Sequence, residues 1–208
     1  MNSIELHEQS ERWNKVYRNG SEMLPWTNVA FSGGVKKYLS SLNKDELLLI
    51  PGCGTGETVK NLSGQGFSKI VGTDISEEAI NRARKSLPQL TFKVTPTENL
   101  RDEKSLSSSN VLDWLNLHQI APESLEQYLS SLAKVATSLC ITWIFHEGKE
   151  KSKSYVHEGE IYFHNPVDVS SSLSIKGFRL QDQSGFQFTS HGEKPVLHDA
   201  VTQIYAKS

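Results

Sequence analysis

The sequence predicts an α/β fold, a doubly wound and mostly parallel sheet of seven strands with a helical lid at its N-terminal end. Three observations carry this. Apolar runs of strand length alternate with stretches of helical period through most of the 208 residues. The first such run, Leu47-Leu48-Leu49-Ile50, drives through Pro51 into three alternating glycines, Gly52, Gly54 and Gly56. A second run, closing on Val71-Gly72-Thr73-Asp74, ends on a carboxylate about 20 residues further on.

In chain order, Leu6, Trp13, Val16 and Tyr17 recur at helical intervals and predict an N-terminal helix ending near Asn19-Gly20. Pro25-Trp26 falls in a loop, and Val35, Tyr38, Leu39 and Leu42 predict a second helix leading into the first strand, Leu47 to Ile50. A short helix follows Gly56 and is stopped by Gly64 and Gly66; Ile70 to Thr73 is the second strand. Ser76 is placed to cap the next helix, and Glu77 and Glu78 in its first turn complement the helix dipole. Ala79, Ile80, Ala83 and Leu87 form its buried stripe, up to Pro88. Leu90 to Val94 is the third strand, and Val111-Leu112 begins a short fourth that runs into Asp113-Trp114. Pro122 opens a helix whose stripe is Leu125, Leu129, Leu132 and Ala136. β-branched and aromatic residues make Leu139 to Phe145 the fifth strand, while Phe178-Arg179-Leu180 and Val201 to Ala206 close the sheet. Residues 1–45 are expected to form the lid, as part of the same domain, and residues 46–208 the core.

The length suits one domain with a sizeable core. A net charge of −2 with scattered basic residues gives no electrostatic footprint for nucleic acid. The longest charged run, Glu147 to Lys153, mixes signs and reads as a solvated loop. The polar first residues, with Glu5 and Glu8, do not read as a secretory signal, and no apolar run approaches the roughly 18 residues of a membrane span. Cys53 and Cys140 are too few for a disulfide scaffold and read as reduced thiols. The expectation is therefore a cytoplasmic protein, monomeric or weakly dimeric, without a membrane or nucleic-acid partner. His146, His157 and His164 with Glu158 and Glu160 have no compact ligand spacing, so no metal site is expected. Tyr155, Tyr162 and Phe163 beside them fit the packing of an inserted hairpin, or the lining of a pocket.

In an open α/β sheet, ligands bind outside the carboxyl ends of the strands, where strand order reverses. Gly52, Gly54 and Gly56 keep side chains out of the loop after the first strand, so backbone can touch a ligand directly. The helix that follows aims free N–H groups at the same place. Asp74, at the tip of the neighbouring strand, can accept hydrogen bonds from both hydroxyls of a ribose. The G-x-G-x-G spacing differs from the G-x-G-x-x-G of dinucleotide binders, which disfavours a nicotinamide-dependent oxidoreductase.

The run from Leu47 to Gly56, followed by Val71 to Ser76, resembles the first motif and acidic loop of class I S-adenosylmethionine-dependent methyltransferases. Trp13, Tyr17 and Gly20, with Pro25-Trp26, resemble the N-terminal lid of the small thiopurine, thiol/halide and tellurite-resistance type. Leu112-Asp113-Trp114 through His118 matches the family's strand-four motif in position. The resemblance implies a Rossmann-like methyltransferase fold and S-adenosyl-L-methionine as cofactor. Gly52, Cys53 and Gly54 would border its methionine and ribose parts, Asp74 would bind the ribose, and Ile75 would pack on the adenine. Thr97 and Glu98 would border the adenine as well, Asp113 would face cofactor or pocket, and Trp13, Tyr17 and Trp26 would close over them. Two positions depart from the pattern. Ile50 stands where many members carry an acid, and Pro96 stands where an acid commonly precedes the adenine loop, with Glu98 a possible substitute.

Methyl transfer from a sulfonium is an in-line displacement, and aligning its partners can lower the barrier by on the order of 7–11 kcal/mol. A soft nucleophile needs little base help, whereas a hydroxyl or protonated amine needs a proton acceptor. Asp113 and His118 are the catalytic candidates for that task, with His146-Glu147 behind them. The implied function is methyl transfer to a small molecule: a thiol, metalloid, amine or acid. A non-catalytic cofactor-binding module of the same fold is the alternative.

Overall fold

The computed structural model describes residues 3–19, 29–153, 159–190 and 196–208. Trp26, Tyr155, His157 and Glu158 lie outside them. The first helix, α1 (Ser3–Arg18), is followed by α2 (Gly33–Ser41), β1 (Leu48–Pro51), α3 (Glu57–Gly64), β2 (Ile70–Asp74), α4 (Glu77–Ser86) and β3 (Thr91–Val94). Next come β4 (Ser109–Trp114), α5 (Pro122–Val135), β5 (Ala136–Ile144) and a small hairpin of β6 (Lys151–Lys153) with β7 (Glu160–Tyr162). The final elements are α6 (Pro166–Ile175), β8 (Phe178–Thr189) and β9 (Leu197–Lys207).

Seven strands form the main sheet in the order β3-β2-β1-β4-β5-β9-β8. β1 pairs in parallel with both β2 and β4, so the strand order reverses at β1 and a crevice opens beyond its carboxyl end. β9 runs antiparallel to both β5 and β8. Period-2 alternation gives the sheet two apolar faces. Leu49, Val111, Ile141 and Trp143 pack under α5 and α6, and Leu48, Ile50, Leu112 and Cys140 pack against the residues of α2, α3 and α4. Ile50 is thus a core residue, held among apolar neighbours.

Local chemistry accounts for the helix ends. Ser32 and Ser76 cap α2 and α4 by accepting hydrogen bonds from Val35 N–H at 3.2 Å and Ala79 N–H at 3.1 Å. α2 packs onto the sheet itself: Ser32 Oγ lies 3.0 Å from Thr202 Oγ1, and Val35, Tyr38 and Leu39 are buried.

Several expectations are corrected. Ala136, read as the last residue of the α5 stripe, opens β5 directly, because Val135 ends the helix with no loop between. The two closing strands are much longer than the sequence pattern suggested, since β8 and β9 pair from Phe178↔Lys207 to Thr189↔Leu197 with a bulge near Leu180. α6 had no expectation at all. Its serine-rich sequence has a weak apolar stripe, and its start is fixed by Pro166 at the first helical position and the Asn165 cap. In the charged run, Lys151–Lys153 is an exposed strand rather than loop.

Candidate functional site

The crevice beyond β1 holds a pocket lined by Gln9, Trp13, Tyr17, Gly52, Asp74, Ile75, Thr97, Glu98, Trp114, Leu115, Asn116, Gln119 and Ile120. Its empty volume, including the part open to solvent, is about 640 Å³. One wall comes from the ends of β1 and β2, one from the turn after β3, one from the turn after β4, and α1 lies across them.

The glycine loop is shaped by close approaches. Gly52, Gly54 and Gly56 all have positive φ. A Cβ on Gly52 would lie 2.5 Å from the Asn116 amide oxygen, and one on Gly54 would lie 2.7 Å from the Tyr17 hydroxyl. Neither position admits a side chain. Gly52 therefore forms wall, while Tyr17 roofs Gly54. The Cys53 side chain turns the other way, toward the sheet: its sulfur fills the space a Cβ on Gly72 would need, at 2.7 Å.

Asp74 is the organising charge. Its carboxylate accepts hydrogen bonds from Gly54 N–H at 2.9 Å and Ser76 N–H at 2.8 Å. Burial is the larger influence, and the carboxyl is pushed up to about 6 despite those bonds. Burial, reinforced by the Asp74 charge, also raises the Tyr17 phenol well above its ordinary range.

α1 is clamped to this site by two polar residues the sequence did not single out. Asn14 Oδ1 accepts from Ser76 Oγ at 2.8 Å and from Glu78 N–H at 3.1 Å, adding a second cap to α4. Ser10 Oγ donates to the Ile75 carbonyl at 3.1 Å. Their spacing was the available signal: Ser10, Asn14 and Tyr17 share one helical face with Trp13 beside them.

Thr97 and Glu98 stand in a 3-10 turn, Thr97–Asp102, at the pocket's other end. Glu98 is buried, which raises its carboxyl, and its Oε1 has no hydrogen-bond partner among the described residues. An acceptor in that state is costly unless a ligand supplies a donor.

The catalytic candidates are placed differently from the expectation. Asp113 is fully buried and outside the pocket wall, with its carboxylate accepting the Tyr128 hydroxyl hydrogen. Burial pushes it up to about 7, against the lowering effect of Tyr128 and of the Asn116 backbone. His118 sits buried in the turn Leu117–Gln119, whose neighbours Asn116, Gln119 and Ile120 form the wall instead. Leu115, also in the wall, has a φ of +57°, a left-handed conformation unusual for leucine. The structure thus brings together Trp13, Tyr17, Gly52, Asp74, Ile75, Thr97 and Glu98, and leaves Cys53, Asp113 and His118 behind the surface. His146 lies apart, 3.5 Å from Asp199, and among the described residues no group of three or more His, Cys, Asp or Glu could hold a metal ion. No described helix is long and apolar enough to cross a membrane.

A seven-stranded sheet ending in an antiparallel pair, with a glycine loop and an acid at the switch point, is a Rossmann-like fold, one shared with solved methyltransferase structures. Residues 49–138 match the family described as "Methyltransferase domain". An uncharacterized methyltransferase of Synechocystis sp. is 27% identical over 137 residues, covering 58% of this chain and 62% of the relative. The chain thus spans about three fifths of the length of that curated relative. Among solved structures, an S-adenosylmethionine-dependent methyltransferase from Anabaena variabilis superposes with a TM-score of 0.82 at 17% identity, over 100% of this chain and 96% of the other. The magnesium protoporphyrin IX methyltransferase of Synechocystis, solved with bound S-adenosylmethionine, gives 0.64 at 15% identity over 100% of both chains.

Proposed function

We propose that this protein transfers a methyl group from S-adenosylmethionine to a small-molecule acceptor. The observation that carries the reading is the cradle of Gly52, Asp74 and Glu98. Asp74 uses two hydrogen bonds to backbone amides and keeps further lone pairs for a pair of ribose hydroxyls. Glu98 Oε1 is a buried acceptor awaiting a donor, which the exocyclic amine of adenine provides. Ile75 offers an apolar surface between them. The residues present therefore fit the cofactor, and the match over residues 49–138 agrees with it.

When bound, S-adenosylmethionine supplies an electrophilic methyl on a sulfonium centre. The rest is the work of this chain. Asp74 and the glycine loop fix the nucleoside end. The aromatic rings of Trp13, Tyr17 and Trp114 and the carboxylates of the wall suit a positive centre. α1 excludes water, so that the charge is less well solvated. The described wall offers no histidine, and Asp113 and His118 lie behind it, so proton removal is not assigned to them. This favours an acceptor that arrives as a competent nucleophile, a thiolate or neutral amine, over one that must be deprotonated in place. The finer kinship with the thiopurine, thiol/halide and tellurite-resistance type rests on Trp13 and Tyr17 over the pocket. A reducing compartment such as the cytoplasm fits the buried free thiols of Cys53 and Cys140.

Calorimetric titration with S-adenosylmethionine and S-adenosylhomocysteine, with NADH as control, tests the reading. Saturable binding of the first two with methyl-labelled product from a thiol or amine panel is expected. Absence of binding by either at millimolar concentration overturns it, and binding without turnover on thiols, amines, acids and metalloid anions would favour the non-catalytic module.

A further inference from the structure

The sheet face that carries α2 ends in a strip of aromatic rings. β9 runs antiparallel to both β5 and β8, so the carboxyl end of β8 lies at the same end of the sheet as that of β4. On this face β8 presents Asp182, Ser184, Phe186 and Phe188 in turn. The first two meet α2: Asp182 pairs with Lys37 at 2.6 Å, and the Ser184 hydroxyl lies 2.6 Å from where a Cβ on Gly34 would stand. The next two are rings, and they form a stack that begins on β4. Phe186 stacks on Trp114 with centroids 5.9 Å apart and planes at 15°, and Phe188 stacks on Phe186 at 5.9 Å and 27°. Phe31 meets Trp114 edge-on at 5.1 Å.

Two strands, β5 and β9, separate β4 from β8, yet these rings touch because the intervening residues are small. Thr142 is the neighbour of Trp114 in register, Thr202 pairs with Thr142 hydroxyl to hydroxyl at 3.1 Å, and Ala200 is the neighbour of Phe186. Ordinary core packing does not account for the strip. Trp143, Tyr128 and Phe178 of the opposite face are fully buried, whereas Phe31, Phe186 and Phe188 are only half-buried. Trp114 belongs to both neighbourhoods, since it also lines the pocket.

Resting on the proposed function, we infer that this strip seats the methyl acceptor, that the acceptor is an aromatic thiol or amine, and that Phe186 and Phe188 are specificity-determining residues. With ribose on Asp74, adenine beside Thr97 and Glu98 and sulfur beside Gly52, the end of β4 is wall that the nucleoside leaves free. A nucleophile can reach the sulfonium along Trp114 while the rest of its molecule lies on the strip. An aromatic ring gains more there than a saturated ring of the same size, because ring faces and edges carry opposite partial charge and attract one another.

The test is calorimetric titration of the protein, saturated with S-adenosylhomocysteine, with two neutral products of thiol methylation: methyl phenyl sulfide and cyclohexyl methyl sulfide. The wild type should bind the phenyl compound about fivefold or more tighter. Phe186→Leu and Phe188→Leu should each remove most of that preference and leave the affinity for S-adenosylhomocysteine unchanged, with melting temperatures recorded to show that the fold persists. Phe186→Tyr, which keeps a ring, should retain the preference. Ile175→Ser, which removes an exposed apolar side chain at the end of α6, should change nothing and so controls for adherence to any apolar surface. Absence of binding by either sulfide at millimolar concentration, equal affinities in the wild type, a preference that both leucine variants retain, or a loss of S-adenosylhomocysteine affinity in them overturns the assignment. Failure of the wild type to bind S-adenosylhomocysteine overturns the proposed function itself.

Discussion

If Asp74 holds the ribose as proposed, affinity for S-adenosylhomocysteine depends on pH in a way that can be calculated. In the proposed cradle the Asp74 carboxylate serves the ribose hydroxyls as an acceptor, and in the free protein burial pushes it up to about 6. One pH unit below that value, at pH 5, about one molecule in eleven is ionised. The affinity for S-adenosylhomocysteine should therefore fall about tenfold between pH 7.5 and pH 5, equal to roughly 1.4 kcal/mol. The ligand's own carboxyl and amino groups titrate outside this window. Asp74→Asn keeps the acceptor for Gly54 N–H but sets an NH2 group against the buried Ser76 N–H, costing about 1–3 kcal/mol. Affinity at pH 7.5 should fall roughly 10- to 100-fold by the same figure, and the pH dependence should flatten. Calorimetry across pH 5–7.5 on both proteins reads this out. An Asp74→Asn curve that retains the wild-type slope refutes the assignment of the titration, and an unchanged affinity at pH 7.5 refutes the ribose contact.

Four further outcomes follow from the same geometry. Gly54→Ala places a methyl 2.7 Å from the Tyr17 hydroxyl at a φ of +54°, so S-adenosylhomocysteine binding should weaken at least about tenfold with the far-ultraviolet dichroism intact. Gly64→Ala, where a Cβ meets nothing within 4 Å, should leave binding unchanged. Asn14→Ala removes the acceptor shared by Ser76 and Glu78 and should cost about 1–3 kcal/mol, seen as faster hydrogen exchange across α1 and a lower melting temperature. Asp113 is raised to about 7, so its contribution to stability is full below its ordinary value near 3.8 and is lost as pH rises through 7. Asp113→Asn should accordingly raise the melting temperature at pH 8, by at most about 4 kcal/mol of stability, with the gain vanishing near pH 4; a gain of equal size at both pH values would contradict the burial argument.

The parallel half of the sheet was legible because its signals are local. Leu47 to Ile50 is an uninterrupted apolar run, and Gly52, Gly54 and Asp74 announce a switch point by type and spacing. α4 was readable from Ser76, Glu77, Glu78 and its apolar stripe for the same reason. The antiparallel end was not, because β8 is largely exposed and its alternating polar residues hide a strand of 12 residues of which only Phe178-Arg179-Leu180 was read. α6 escaped because serines carry little periodic signal, and only its Asn165-Pro166 start was informative.

Within the site, residues that act through backbone position could be read, whereas those acting through long-range side-chain contacts could not. Asn14 caps a helix 62 residues away, and Asn116 depends on Tyr128 in the following helix. His118 shows the converse. It lies in the right segment, but the turn Leu117–Gln119 buries it while Asn116 and Gln119 meet the pocket. Asp113 had the right register for the carboxyl end of β4 and the wrong face, since strand alternation turns it inward to Tyr128.

The central claim is that Gly52, Asp74 and Glu98 cradle the nucleoside of S-adenosylmethionine. A crystal of the protein soaked with S-adenosylhomocysteine tests it most directly. The account predicts both ribose hydroxyls on the Asp74 carboxylate, the adenine amine on Glu98 and the sulfur beside Gly52. Density for the ligand elsewhere, or a nucleoside whose ribose makes no contact with Asp74, would contradict it.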